Sequence, residues 1–157
     1  MANLFGPGSS TCDVGDFVLR ALNQIVMFSP SGALMDEALL DRASAQLVSL
    51  GFHVEEMPEA RLRVQRFAGD EAARSGSIEQ ACSQSDPAVL LATRGGYGLS
   101  RLLTELNLLQ LARQLNTNKH LLCGHSDVTC LQLALLKAGA RPDTLLHGPM
   151  ASFAFGP

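Results

Sequence analysis

The stretch PAVLLAT (87–93) constrains this chain more than any other, because it is apolar from Pro87 to Ala92 with no polar alternation. A strand with one face in water alternates apolar and polar residues. A short run that does not alternate reads as a strand covered on both faces, as in a parallel sheet between two helical layers. The sequence around it supplies those layers. QIVMF (24–28) reads as a first buried strand closed by the turn signal SPSG (29–32). Residues 33–51 follow with Leu34, Ala38, Leu39, Leu47 and Leu50 near helical spacing and Gly51 as the stop. FHVEE (52–56) alternates as a second strand, and residues 68–86 read as a helix weakened by Gly76.

The second half keeps the rhythm. GLSRLLTELNLLQLARQLN (98–116) predicts one continuous helix, with Leu99, Leu102, Leu103, Leu106, Leu109 and Leu115 on its apolar face. KHLLCG (119–124) predicts a fourth strand, residues 127–139 a helix stopped by Gly139, and TLLHGP (144–149) a fifth strand broken at Pro149. Strands alternating with helices through short connections predict a three-layer α/β/α fold with a mainly parallel sheet. Residues 24–28, 88–92 and 120–123 are its expected central strands.

Composition removes several function classes. Twelve Lys and Arg against fifteen Asp and Glu, without a basic cluster, give no electrostatic footprint for nucleic acid. No apolar run approaches the roughly 18 residues of a membrane span, so no membrane partner is expected. The first residues, MANLFGPGSSTCDVGD, hold neither a basic n-region nor an apolar core, and the expected compartment is the cytoplasm. Residues 1–23 read as an irregular leader. Cys12, Cys82, Cys123 and Cys130 form no C-x-x-C pair and have no histidine at zinc-ligand spacing, so they read as buried or incidental thiols. Neither a metal nor a cofactor is expected.

In a parallel sheet ligands gather where strands end and helices begin. Three stretches land there: SPSG after strand one, TRGGYG (93–98) after strand three and GHSD (124–127) after strand four. The glycines of TRGGYG permit positive φ and leave N–H groups free at a helix start, which suits a phosphate, a carboxylate or a developing oxyanion. The loop is neither a Walker A sequence nor a dinucleotide fingerprint, and a tight turn that needs glycine only for its shape is the plainer alternative. GHSD also reads two ways. Ser126 or Asp127 suits the N-cap of helix 127–139. Equally, strand, sharp turn, serine and helix are the parts of a nucleophile elbow, although Val128 departs from G-x-S-x-G.

The motifs R-G-G-Y-G (94–98), G-x-S-D-x-T (124–129) and H-G-P-M (147–150), in this order and spacing, resemble the N-terminal domain of the LD-carboxypeptidases. This is the serine peptidase family of muramoyltetrapeptide carboxypeptidase and the microcin self-immunity peptidases. The resemblance covers residues 24–150 and implies a flavodoxin-like domain. It implies Ser126 as nucleophile, backbone N–H groups of Asp127 and Gly96 as oxyanion hole, and Gly95, Tyr97 and Gly98 facing substrate. The implied substrate is a murein tetrapeptide or related LD-peptide, which loses its terminal D-alanine during peptidoglycan recycling in the bacterial cytoplasm.

The family's triad is Ser-Glu-His, and no residue here matches its Glu or His. Both are expected from a C-terminal domain after the linker expected to start at residues 151–157. His125 reads as a pocket-wall or packing residue, while His53 and His120 fall on strands away from the loop ends and His147 sits in H-G-P-M. An unassisted serine hydroxyl is a weak nucleophile, so residues 1–157 alone are expected to be inactive. The expected partners are the substrate, that C-terminal domain and a second copy in a homodimer, with Phe153 and Phe155 as apolar docking surface. Two other readings stay open: a hydrolase of the microcin self-immunity type, and a non-catalytic α/β domain binding a small anion.

Overall fold

Val26 and Phe28 point to one side of β1 (Gln24–Phe28) and Ile25 and Met27 to the other, and all four are buried. That two-sided burial organises the molecule. The structure is a computed structural model that describes residues 22–157; most of the expected leader, and Cys12 with it, lies outside the described residues. The strands β1, β2 (His53–Glu56), β3 (Val89–Ala92), β4 (Leu121–Gly124) and β5 (Leu145–His147) form one sheet in the order β2-β1-β3-β4-β5. Every pairing is parallel. The three expected central strands are the three inner ones.

Helix α1 (Ala38–Ser49) covers the face carrying Ile25, Met27, Leu91 and Cys123, through Leu40, Ala43 and Leu47. The opposite face, with Val26, Phe28, Leu90, Ala92 and Leu122, is covered by α2 (Glu71–Cys82), α3 (Leu99–Leu102), α4 (Leu108–Asn118) and α5 (Val128–Lys137). Each crossover returns a strand parallel to its neighbour, so the helices divide between the faces as right-handed connections require. The final turn, α6 (Ala151–Ala154), buries Ala151 beside α1, and Arg42 Nε donates to Gly156 O. Phe153 is exposed as expected, but Phe155 is not free surface: it packs against the α1 side of the core.

Two expected helices change shape. Residues 98–116 form two helices rather than one. The N–H groups of Glu105 and Leu106 both bond to Leu102 O, which closes α3, and Asn107 then caps a new helix by accepting the Gln110 N–H on Oδ1 at 3.1 Å. Leu106 is buried at that corner, so leucine spacing that looks continuous in sequence spans a bend. The helix expected from residue 33 begins at Ala38, because Gly32 and Ala33 pair with the segment around Arg66 and Phe67. Among the described residues no helix is long and apolar enough to cross a membrane.

The strand order sets where a ligand belongs. The chain leaves β1 toward β2 on one side and comes back to β3 on the other, so the loops after β1 and β3 diverge at a topological switch point. Those loops are SPSG and TRGGYG, and the loop after β4 is next to them.

Candidate active site

The three loops are one hydrogen-bonded unit. Gly32 N–H donates to Gly95 O at 3.1 Å, which joins the first loop to the second. The Asp127 carboxylate joins both to the third: its Oδ2 accepts from Ser31 Oγ at 2.6 Å and from Leu99 N–H at 3.0 Å. Ser31, fully buried, also has Tyr97 O within 3.2 Å of its hydroxyl. A charged acceptor strengthens such bonds, and a half-buried carboxylate without them would be costly. Below this layer Ser29 Oγ, paired with Thr93 Oγ1, donates to Ala60 O at 2.9 Å. Ser152 then donates from N and Oγ to Thr93 O at 3.1 and 2.7 Å.

Ser126 sits differently. Its φ is +60°, in the left-handed region that costs a non-glycine residue about 1–2 kcal/mol. The turn holds it there: Val128 N–H bonds to His125 O at 3.2 Å and Thr129 N–H to Ser126 O at 3.0 Å. The side chain is exposed, and among the described residues Ser126 Oγ makes no hydrogen bond. Neither Ser126 nor Asp127 caps α5 with its side chain. The cap reading of Ser126 is thereby removed, and the Asp127 carboxylate serves the start of α3 instead.

Gly95 is buried directly against Ser126. A Cβ there would lie 3.0 Å from Ser126 Cβ and 3.2 Å from Oγ, so a larger residue would push the serine side chain aside. Gly96 and Asp127, expected to supply oxyanion donors, are half-buried, and their N–H groups donate to nothing among the described residues. Tyr97 projects into solvent with 71% of its surface exposed. Gly98 has φ +105°, and a Cβ on it would meet Arg74 Nη1 and Phe67 Cε1, both at 2.9 Å.

That contact exposes a residue the motif reading passed over. Arg74 of α2 is 2% exposed, stacks its guanidinium 4.8 Å from the Phe67 ring centroid, and donates from Nε to Asp70 O at 3.3 Å. Burial lowers its pKa, while the charges of Glu71 and Asp127 act in the opposite sense. It forms the floor under the glycine loop. A signal was available in the sequence: Arg74 lies four residues before Ile78, on the apolar face of its helix. Ser31 gave no such signal, since serine in SPSG reads as a turn residue.

Among the described residues no base accompanies Ser126. His125 Nδ1 bonds to Gly148 O at 3.2 Å, and its ring meets His147 edge-on at 6.1 Å, in keeping with a wall residue. His147 Nδ1 bonds to Thr129 Oγ1 at 3.3 Å. His53 and His120 lie at the opposite edge of the sheet. Cys82 and Cys123 are buried thiols whose pKa values burial pushes up to about 12 and about 11. Among the described residues no cluster of three or more His, Cys, Asp or Glu is arranged to hold a metal.

With this geometry, the family model for the LD-carboxypeptidase N-terminal domain matches residues 25–145. The chain belongs to the LD-carboxypeptidase family. Among solved structures it is similar to the muramoyltetrapeptide carboxypeptidase of Oxalobacter formigenes, at 35% identity and a TM-score of 0.73, over 85% of this chain and 42% of that one. An MccF-like protein from Bacillus anthracis is 27% identical with a TM-score of 0.72, over 86% of this chain and 40% of that one. The microcin C7 self-immunity protein MccF shares the fold, with 19% identity and a TM-score of 0.76 over 87% and 40% of the two chains. This LD-carboxypeptidase domain therefore spans about two-fifths of the length of the relatives it matches.

Proposed function

We propose that this domain carries the nucleophile and oxyanion hole of a serine-type LD-carboxypeptidase that releases the terminal D-alanine of murein tetrapeptides. Ser126 Oγ attacks the carbonyl of the L–D amide. The developing negative charge is met by the N–H groups of Asp127 and Gly96, which donate to nothing else among the described residues. The serine proton passes to a histidine paired with a glutamate, and the amine of D-alanine leaves with a proton returned by that histidine. Those two residues come from a C-terminal domain that follows this one, beyond the packed helical turn Ala151–Ala154.

One observation carries this reading: Ser126 is held at φ +60° with an exposed, unbonded hydroxyl pressed against Gly95. A cap or packing serine has no use for that strain, whereas functional sites commonly hold it. The 35% identity to a muramoyltetrapeptide carboxypeptidase favours the murein substrate over that of the more distant self-immunity proteins.

The test is D-alanine release from L-Ala-γ-D-Glu-meso-diaminopimelyl-D-Ala by the natural full-length protein. Ser126→Ala is expected to lower turnover by at least about 10⁴-fold, in line with nucleophile deletions in other triads, with the unfolding midpoint within about 1 °C of the parent. Residues 1–157 alone are expected to release none above background. A Ser126→Ala protein that still turns over, or robust activity of the 157-residue chain, contradicts the assignment.

A further inference from the structure

Beside the glycine loop lies a groove of about 270 Å³ that the proposed chemistry does not use. Arg63, Arg66 and Arg94 line it together with Gly96, and the exposed apolar side chains of Met35 and Tyr97 form its rim. Three positive charges around one small opening stand out in a chain of net charge −3. Their condition differs from that of Arg61, whose guanidinium is held by Glu56 and Asp41, both at 2.6 Å. Among the described residues Arg63, Arg66 and Arg94 have no carboxylate within salt-bridge distance. Arg63 Nε donates to Gln65 O, Arg94 Nη1 donates to Ala33 O, and the Arg66 guanidinium lies 5.9 Å from the Phe67 ring centroid, which leaves most of their five N–H donors each without a hydrogen-bond partner among the described residues.

The groove is constructed, not a chance meeting of surface chains. Val64 and Phe67 exchange backbone hydrogen bonds at 2.9 and 3.0 Å, closing a turn in which Gln65 takes the strained φ of +56°. Ala33 N–H bonds to Arg66 O at 2.9 Å and Ala68 N–H to Ser31 O at 3.0 Å. The arginine turn is thus fastened to the loop that is itself fastened to Gly95 and Asp127. Planar guanidinium groups suit a carboxylate, which they bind with paired N–H donors.

We propose that this groove is a carboxylate subsite, which takes the free C-terminal carboxylate of the residue to be released. The inference rests on the LD-carboxypeptidase reading above. Gly96 belongs both to the groove and to the expected oxyanion hole, and a terminal carboxylate lies one residue, roughly 3.5 Å, beyond the scissile carbonyl. The volume is below the ~300 Å³ at which small-molecule pockets usually begin, which suits one small residue rather than a nucleoside. The site therefore reads a chain end and rejects an internal peptide bond, which has no carboxylate there.

The probe is N-acetyl-D-alanine, titrated against the isotopically labelled 157-residue chain and followed by amide NMR shifts, with N-acetyl-D-alaninamide as the uncharged control. The acid is expected to shift Gly96 and Tyr97 and to bind at least about tenfold more tightly than the amide. In Arg63→Gln/Arg66→Gln that preference is expected to fall to about twofold or less, the sum of two exposed charge-assisted contacts. Arg61→Gln, which removes an equal charge close by, is expected to keep it. A double variant that retains the preference, or an Arg61→Gln that loses it equally, overturns the subsite. In the natural full-length protein the same double variant is expected to raise KM for the tetrapeptide by about tenfold with kcat within threefold. Absence of D-alanine release from the parent protein would sink the enzymatic reading alone, since the titration reports on the groove independently of turnover.

Discussion

The two edges of the sheet use the same devices to different ends. At the amino edge, Ala88 N–H donates to His120 Nδ1 at 3.2 Å, so the ring proton is on Nε2, which donates to Gln84 O at 3.0 Å. Asn118 Nδ2 donates to the same Gln84 O at 2.9 Å and to Cys82 O at 3.4 Å. There the side chains close the loops onto one another and their donors are used up. At the carboxyl edge, Ser31 and Asp127 perform the same closure, but around a serine whose hydroxyl is left exposed on a strained backbone. Stability alone accounts for the first edge. The amino edge has a left-handed residue of its own, Lys119 at φ +57°, but it serves as a helix C-cap with its N–H donating to Leu115 O. The carboxyl edge places the same backbone cost under an unbonded hydroxyl beside unused N–H donors, and on that difference the proposed active site rests.

The sharpest way to break this contrast is Ser126→Gly. Glycine accepts φ +60° freely, so the variant is expected to unfold about 1 kcal/mol later in denaturant while turnover in the full-length protein falls by at least about 10⁴-fold. A stabilised protein without activity is the signature of strain kept for chemistry, and a destabilised one removes the argument. Asp127→Ala comes next. It leaves the Ser31 hydroxyl and the Leu99 N–H without their acceptor, and is expected to cost about 2–3 kcal/mol in chemical denaturation and about 10²-fold in kcat, with KM less affected. Equal effects at both edges would erase the distinction between them.

The smallest effect belongs to the amino edge. His120→Gln is expected to cost about 1–2 kcal/mol of stability and to leave kcat/KM within twofold. Burial lowers the His120 pKa below the ordinary 6.5, so the unfolded chain takes up the proton first as pH falls. The neutral ring's contribution is therefore complete above about pH 6.5 and is lost progressively below it, and unfolding midpoints measured from pH 7.5 to 5 are expected to flatten in the glutamine variant.

The sequence made the sheet legible because buried parallel strands leave a distinct trace: QIVMF matches β1 residue for residue, and the apolar run after Pro87 contains β3. Periodicity is blind to corners, however. Leucines recur through 99–115 whether or not the axis turns, and the cue to the turn was a single cap residue, Asn107. The site was legible at the level of loops, since strand ends and glycines are local features. Its assembly was not, because the bonds that fix it join residues 31, 99 and 127, which have no local pattern in common. Arg74 was hidden for a related reason: an arginine is read as surface unless its helical face is counted.

One carboxylate oxygen, Asp127 Oδ2, receives donors from two separate loops. This has a consequence for how such a domain can change over generations. Substituting Asp127 alone strands two partners, and substituting Ser31 alone removes one of the two bonds that justify a half-buried charge. Viable lineages are thus expected to alter positions 31 and 127 together or not at all, while His125, whose ring makes a single hydrogen bond to Gly148 O, drifts more freely. Correlated replacement at two positions 96 residues apart would be the historical record of a single shared atom.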